Sequence, residues 1–245
     1  CRHQISIIES FCNIDKVHFT VFLKMSIEAE TTILSRVDGS ATVSAGETRV
    51  ITSISGPIEP KPRQELPTTA ALEVIVRAGV GISNTREKLL EDKLRSILTQ
   101  VIIGHLYPRQ LIQITTQILE AGEDVEYTSK ELSALVNSAY LALTDANIGL
   151  NVSFASEHFA ILENGEIIIS PSKAQLKTSK SSHVVVYAIK NGKSSNLLYS
   201  DSIGIFSEDE LYKILALASQ QIEKIHQTFR KTIQSKIEKD FVWQI

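Results

Sequence analysis

The sequence predicts a mixed α/β (α+β) fold: a single domain of mixed β-sheets with three main helices. Three features predict it. Three segments carry apolar residues at helical spacing behind N-terminal cap signals. The text between them is rich in β-branched residues and is broken by turn dipeptides. No linker, repeat or low-complexity tract divides the 245 residues, a length that fits one large domain or two small ones.

The elements follow in order. The opening stretch, CRHQISIIESFCNIDKVHFTVFLK, has no clean period, and Glu9 and Asp15 interrupt the apolar core a signal peptide needs. It precedes the single methionine, Met25. Residues 1–24 are therefore expected to lie outside the folded domain, as an extension or as upstream sequence, and the domain to span 25–245. Asp38-Gly39 and Ala45-Gly46 then mark turns within β-rich text, and TTAALEVIVRA reads as a buried strand. Asn84 and Glu87 form a capping-box pattern before a helix whose Leu90, Leu94, Ile97 and Val101 share one face. RQLIQITTQILE alternates, with Ile112, Ile114 and Ile118 opposite Gln113, Thr115 and Gln117. Thr128 and Glu131 suggest a second capping box, ahead of Leu132, Leu135, Ala139, Leu143 and Ala146. Asn164-Gly165 and Asn191-Gly192 are hairpin signals. The last helix begins at Ser207 with acids in its first turn, where the helix dipole favours them, and continues through Leu211, Leu215, Ala218, Ile222, Ile225 and Phe229.

Charge narrows the function. With 25 Lys+Arg against 28 Asp+Glu, the chain has no basic coat of the kind that binds nucleic acid by charge alone, so any RNA contact must come from local patches. No apolar run reaches membrane-spanning length. Both cysteines, Cys1 and Cys12, lie near the start. This excludes a disulfide framework or thiolate metal site in the remainder and fits a reducing compartment.

Common motifs fail. In RAGVGISN the third glycine of a dinucleotide fingerprint is Asn84, and no acid follows about 20 residues on. NGKSS ends like a P-loop, but Tyr187 stands where the first glycine belongs. None of the six histidines pairs at helical metal spacing, and no Gly-x-Ser-x-Gly occurs. Neither a metal nor a cofactor is expected.

One block is specific: HLYPRQLIQITTQILEAGEDVEYTSKELSALVNSAYLALTDANIGL, from His105 to Leu150. With Asp38-Gly39-Ser40 and Gly56-Pro57, it resembles the RNase PH family, over Met25 to about Ile237. It is most similar to the short RNase PH-like ring subunits of the eukaryotic RNA exosome. The resemblance implies a wall of a hexameric ring built with other RNase PH-like subunits. It further implies a cap of RNA-binding subunits, a separate catalytic nuclease, RNA as the threaded ligand, and a place in the nucleus and nucleolus and also the cytoplasm.

The family's enzymes shorten RNA from the 3′ end with inorganic phosphate. They hold that phosphate on Gly-Gly-Thr-Arg at a helix N-terminus. Those positions fall here on Ser129, Lys130, Glu131 and Leu132, so the arginine is lost, and Glu123, Asp124 and Glu126 crowd the preceding turn. Ser129 and Lys130 keep a weak capacity for an anion; the competing reading is an ordinary acidic helix start. The family's paired aspartates would fall near Ala174 and Lys180, inside a stretch from Ile167 to Ser200 that has five lysines and no carboxylate. General acid catalysis contributes roughly 10²- to 10⁴-fold, so the resemblance implies a silent site and no catalytic residue. The alternative, an active phosphorolytic exoribonuclease, would need the missing arginine and acids. By the same resemblance, Lys61 and Arg63 would face the central channel and Arg86 would contact the RNA backbone. Solvated surface charge is the plain reading of each.

Overall fold

The computed structural model describes residues 27–241. The boundary expected at residue 24 lies outside them. Nine strands form two sheets among the described residues. Strands β1 (Ile27–Thr31), β2 (Gly39–Ala45), β3 (Thr48–Ile58), β4 (Ala71–Arg77) and β5 (Leu111–Glu120) make the first, in the order β1-β2-β3-β5-β4. Only β4 and β5 run parallel. The connection between them carries helix α1 (Thr85–Val101), as a parallel crossover requires. Strands β6 (Ser153–Leu162), β7 (Ile167–Ile169), β8 (Ser179–Lys190) and β9 (Lys193–Gly204) form an antiparallel second sheet in the order β7-β6-β8-β9.

Between the sheets lies α2 (Ser129–Asp145), whose residues from Ser129 to Leu143 are all buried. The alternation read in the sequence decides how the first sheet meets it. Ile54 pairs with Ile114 and Thr52 with Thr116, so one face of the sheet carries the core while Gln113, Thr115 and Gln117 stay half-buried on the other. A helix buried on every side must satisfy its polar groups internally. Ser138 meets the Thr52 hydroxyl at 2.6 Å. Asn137 brackets Ser156 of β6, accepting from its N–H at 2.9 Å and donating to its carbonyl at 3.0 Å.

Two further helices close the fold. The short α3 (Lys173–Lys177) was not legible as a helix, although Gln175 does accept the Ser172 N–H at 2.8 Å, the reciprocal contact a Ser-x-x-Gln cap makes. The long α4 (Glu208–Asp240) buries Ile214, Ala218 and Ile222 and reaches the end of α2, where Phe229 and His226 sit beside Tyr140.

The two sequence motifs that open the family resemblance meet at the C-terminal end of α2. The Asp145 carboxylate accepts the Ser40 N–H at 2.9 Å and the Thr32 hydroxyl at 2.8 Å, and pairs with Lys236. Gly39 has to be glycine, because a Cβ there would stand 2.4 Å from the Ala146 nitrogen. Asp38 in turn accepts the Gly56 N–H at 2.8 Å, ahead of a cis Gly56-Pro57 bond. These residues are scaffold: they fasten α2 to the first sheet.

Candidate functional site

The predicted site residues Ser129, Lys130, Glu131 and Leu132 form the first turn of α2. They start the helix as the sequence predicts, but the cap differs. The expected Thr128–Glu131 capping box is absent. Thr128 makes no side-chain cap, and Glu131 turns into the protein to meet Arg86, its Oε2 2.8 Å from Nη1. The cap comes from Glu123 instead, whose carboxylate accepts the Glu131 N–H at 2.9 Å and the Lys130 N–H at 3.2 Å. The reason is burial. Glu131 is fully buried, so its charge has to follow the nearest cation rather than a local N–H.

Arg86 is held on several sides. Nε donates to Val125 O at 3.0 Å and Nη2 to Tyr127 O at 2.7 Å, while Glu87 lies 3.6 Å away. Its donors are thus engaged within the loop that carries Glu123. Leu132 points into the core with no exposed surface, and Ser129 shares a hydrogen bond with Ser182 at 3.1 Å.

The facing wall has the opposite sign. Asp124 pairs with Lys173 at 2.7 Å and Lys177 at 2.9 Å, both on α3. Those ammonium groups hold its carboxyl below the usual range. Much of the positive charge in the acid-free stretch is therefore answered by the loop before α2. Burial pushes the Glu123 carboxyl up to about 7, against the two N–H groups that favour its charged form.

Deeper in the second sheet lie ionisable groups that the sequence did not single out. Glu157 is buried, and desolvation raises its carboxyl to about 8, opposed only by the His158 N–H it accepts at 2.9 Å. His158 is neutral, held down to about 3 by burial and by the charge of Lys130. His183, bonded to Ser181 and Ser202, is lowered by burial to about 4. Apolar burial on a strand was the one available signal, and alternation alone does not tell a buried acid from an exposed one.

Lys61 and Arg63 lie together in the loop between β3 and β4. Both are exposed, and neither side chain has a hydrogen-bond or ion-pair partner among the described residues. The loop turns on a Gln64 N–H to Lys61 O bond of 2.8 Å.

The family models of the 3′ exoribonucleases match this chain twice: domain 1 over residues 25–149 and domain 2 over residues 158–221. The chain belongs to the RNase PH family. Similar relatives include the Saccharomyces cerevisiae protein named Exosome complex component RRP46, 49% identical over 217 residues that span 87% of this chain and 97% of that one. The Schizosaccharomyces pombe protein named Exosome complex component rrp46 is 29% identical over 206 residues, 82% and 86% of the two chains. The crystal structure of rice Rrp46 shares the fold, with a TM-score of 0.76 at 24% identity over 85% of this chain and 94% of that one. In RNase PH terms α2 belongs to domain 1 and α3 to domain 2, so the Asp124–Lys173/Lys177 pairs join the two, over one continuous hydrophobic core.

Two outcomes follow for this RNase PH site. Arg86→Ala leaves Glu131 buried without a counter-charge and is expected to cost about 3 kcal/mol, the low end for a broken buried pair because a fifth of the Arg86 side chain is exposed. Urea unfolding at pH 7 checks it: R86A/E131Q should regain most of the loss, and a double variant as unstable as R86A would contradict the pairing. The second outcome concerns Glu157. Its folded carboxyl lies above its unfolded value of 4.5, so its stabilising contribution is complete below that value and is lost as pH rises through about 8. Against Glu157→Gln, the wild type should therefore lose several degrees of Tm between pH 5 and pH 9, at about 2–4 °C per kcal/mol. A gap between the two melting temperatures that stays constant with pH would rule this out.

Proposed function

We propose that the chain is a non-catalytic subunit of an RNA exosome ring, which supports 3′-to-5′ RNA processing and degradation by threading RNA to a separate nuclease. One observation carries this reading: the first turn of α2, where the family's enzymes hold phosphate, is filled by the chain's own Glu123. Two others agree with it. Leu132 stands in the core where the family pattern has an arginine, and the segment where it has paired aspartates, near Ala174 and Lys180, holds lysines and no carboxylate.

The ring neighbours would be other RNase PH-like subunits in a hexamer, carrying cap RNA-binding subunits, in the nucleus, nucleolus and cytoplasm. The relatives' names support an exosome complex; the ring, the cap and the compartments rest on the family resemblance. The RNA contact is assigned to Lys61 and Arg63. Both are free, exposed cations on a loop stiffened by Pro57, Pro60, Pro62 and Pro67, so presenting them to a passing strand costs little ordering entropy. Arg86 is left out of the RNA path, since its donors are engaged inside the protein.

Lys61→Glu with Arg63→Glu should leave folding and assembly intact and weaken sequence-neutral RNA binding by the reconstituted complex, with a flatter salt dependence. RNA affinity of the intact complex at several salt concentrations measures it. An unchanged salt slope would mean that the loop faces away from RNA, and failure to assemble would make the loop a subunit contact.

A further inference from the structure

Arg109 is fastened to the loop that carries Lys61 and Arg63, on a backbone its residue type disfavours. It stands at φ 58°, in the left-handed region that glycine and asparagine enter easily and arginine seldom does. Two bonds fix the chain there. The Arg109 N–H donates to Leu66 O at 3.1 Å, and the carbonyl of the next residue, Gln110, accepts the Ala71 N–H at 2.8 Å. Loop and sheet are pinned together just before β5 begins, and the Arg109 side chain is set beside the loop's two cations.

A disfavoured backbone angle at a charged residue calls for a reason. Packing of the side chain supplies none, since 72% of it is exposed. Its contact is Glu65, with Nε 3.6 Å from Oε1, longer than a hydrogen bond. The Arg109 guanidinium donates no hydrogen bond among the described residues. Arg86 is the contrast, its nitrogens engaged by two carbonyls and by Glu131. Arg109 keeps its fork of donors open. Glu65 is itself 43% exposed, so water and salt weaken the pair. The other acid that the loop touches, Glu73, is taken by Gln64 and Gln113 at 3.4 and 3.0 Å.

We infer that Arg109 is a third phosphate-binding cation of the RNA path and that Glu65 is its exchangeable counter-ion. A phosphate of the passing strand displaces the carboxylate, which takes the guanidinium back as that phosphate moves on. The inference rests on the reading that places Lys61 and Arg63 on the path. A guanidinium fork matches two phosphate oxygens at once, whereas Glu65 makes one long contact. The displaced carboxylate stays tethered nearby and repels the phosphate that replaced it. The grip is therefore weak, which suits a strand that has to slide. It is also sequence-neutral, since only the RNA backbone is touched.

The experiment is binding of a uridine homopolymer to the reconstituted complex across a salt series, with wild type, Arg109→Gln, Glu65→Gln and the double variant. Arg109→Gln should weaken binding. It should also reduce the slope of log affinity against log salt by about 0.7, the value of one phosphate contact on a single strand. Glu65→Gln should tighten binding several-fold at low salt and lose most of that gain when Arg109→Gln is added. Unchanged affinity and slope in Arg109→Gln would overturn the inference. So would an equal gain from Glu65→Gln with and without Arg109, which would make Glu65 a bulk charge. A folded Arg109→Gln chain that does not assemble would make Arg109 a subunit contact and overturn it too. Should Arg109→Gln fail to fold, Glu65→Gln alone decides: tighter binding supports the exchange, and unchanged binding ends it. Lys61→Glu with Arg63→Glu separates the two levels. If that pair flattens the salt slope and Arg109→Gln does not, the inference falls and the RNA reading stands; if neither does, both fall.

Discussion

The structure depends on satisfying the N-terminus of a helix that has no access to water. Residues Ser129 to Leu143 of α2 are buried between two sheets, so its first N–H groups have no solvent to turn to, and an unmet buried donor costs about 1–3 kcal/mol. Glu123 meets them. Placing an acid there brings a second problem, because Glu131 is buried beside it, and Arg86 answers that one. Arg86 then ties down the Val125 and Tyr127 carbonyls of the same loop. One capping requirement thus fixes a loop, an arginine and two carboxylates.

The other end of α2 is fixed by different means. Asp145 gathers Ser40, Thr32 and Lys236, and Gly39 lets the helix end approach the first sheet closely. The family features easiest to see in the sequence, Asp38-Gly39-Ser40 and the Ala-Leu-x-Asp-Ala run, are these fastenings. They report the fold and say nothing about chemistry at the opposite end of the helix. A chain can therefore keep the RNase PH framework while the first turn of α2 changes its occupant.

Much of this was legible in sequence. The period of α1, α2 and α4 and the alternation of β5 each follow from one-sided burial, which leaves a mark every few residues. The proposed loss of the site rests on a departure from pattern that is visible in the sequence, at Leu132 and in the acid-free stretch after Ile167. Three things were not legible. Thr128 and Glu131 match a capping box by spacing, but the box assumes an exposed first turn, and burial sent Glu131 to Arg86. Arg86 reads as a surface cation at a helix start because its acceptors are carbonyls of a loop about 40 residues away. Glu157 and His158 sit in a strand whose two faces are both covered, where alternation carries no information about which side chain meets water.

Compared with the family pattern, the site has reversed polarity: acids stand at the helix start, and lysines stand on the facing α3. On the proposed reading, the arginine that the family pattern puts at Leu132 and the aspartates it puts near Ala174 and Lys180 are both missing, so phosphorolysis lacks its phosphate clamp and its acid. The direct measurement is nucleoside diphosphate release from single-stranded RNA by the purified chain, with and without inorganic phosphate. The account predicts no phosphate-dependent release. Release that persists through repurification and disappears in Lys130→Ala would contradict it.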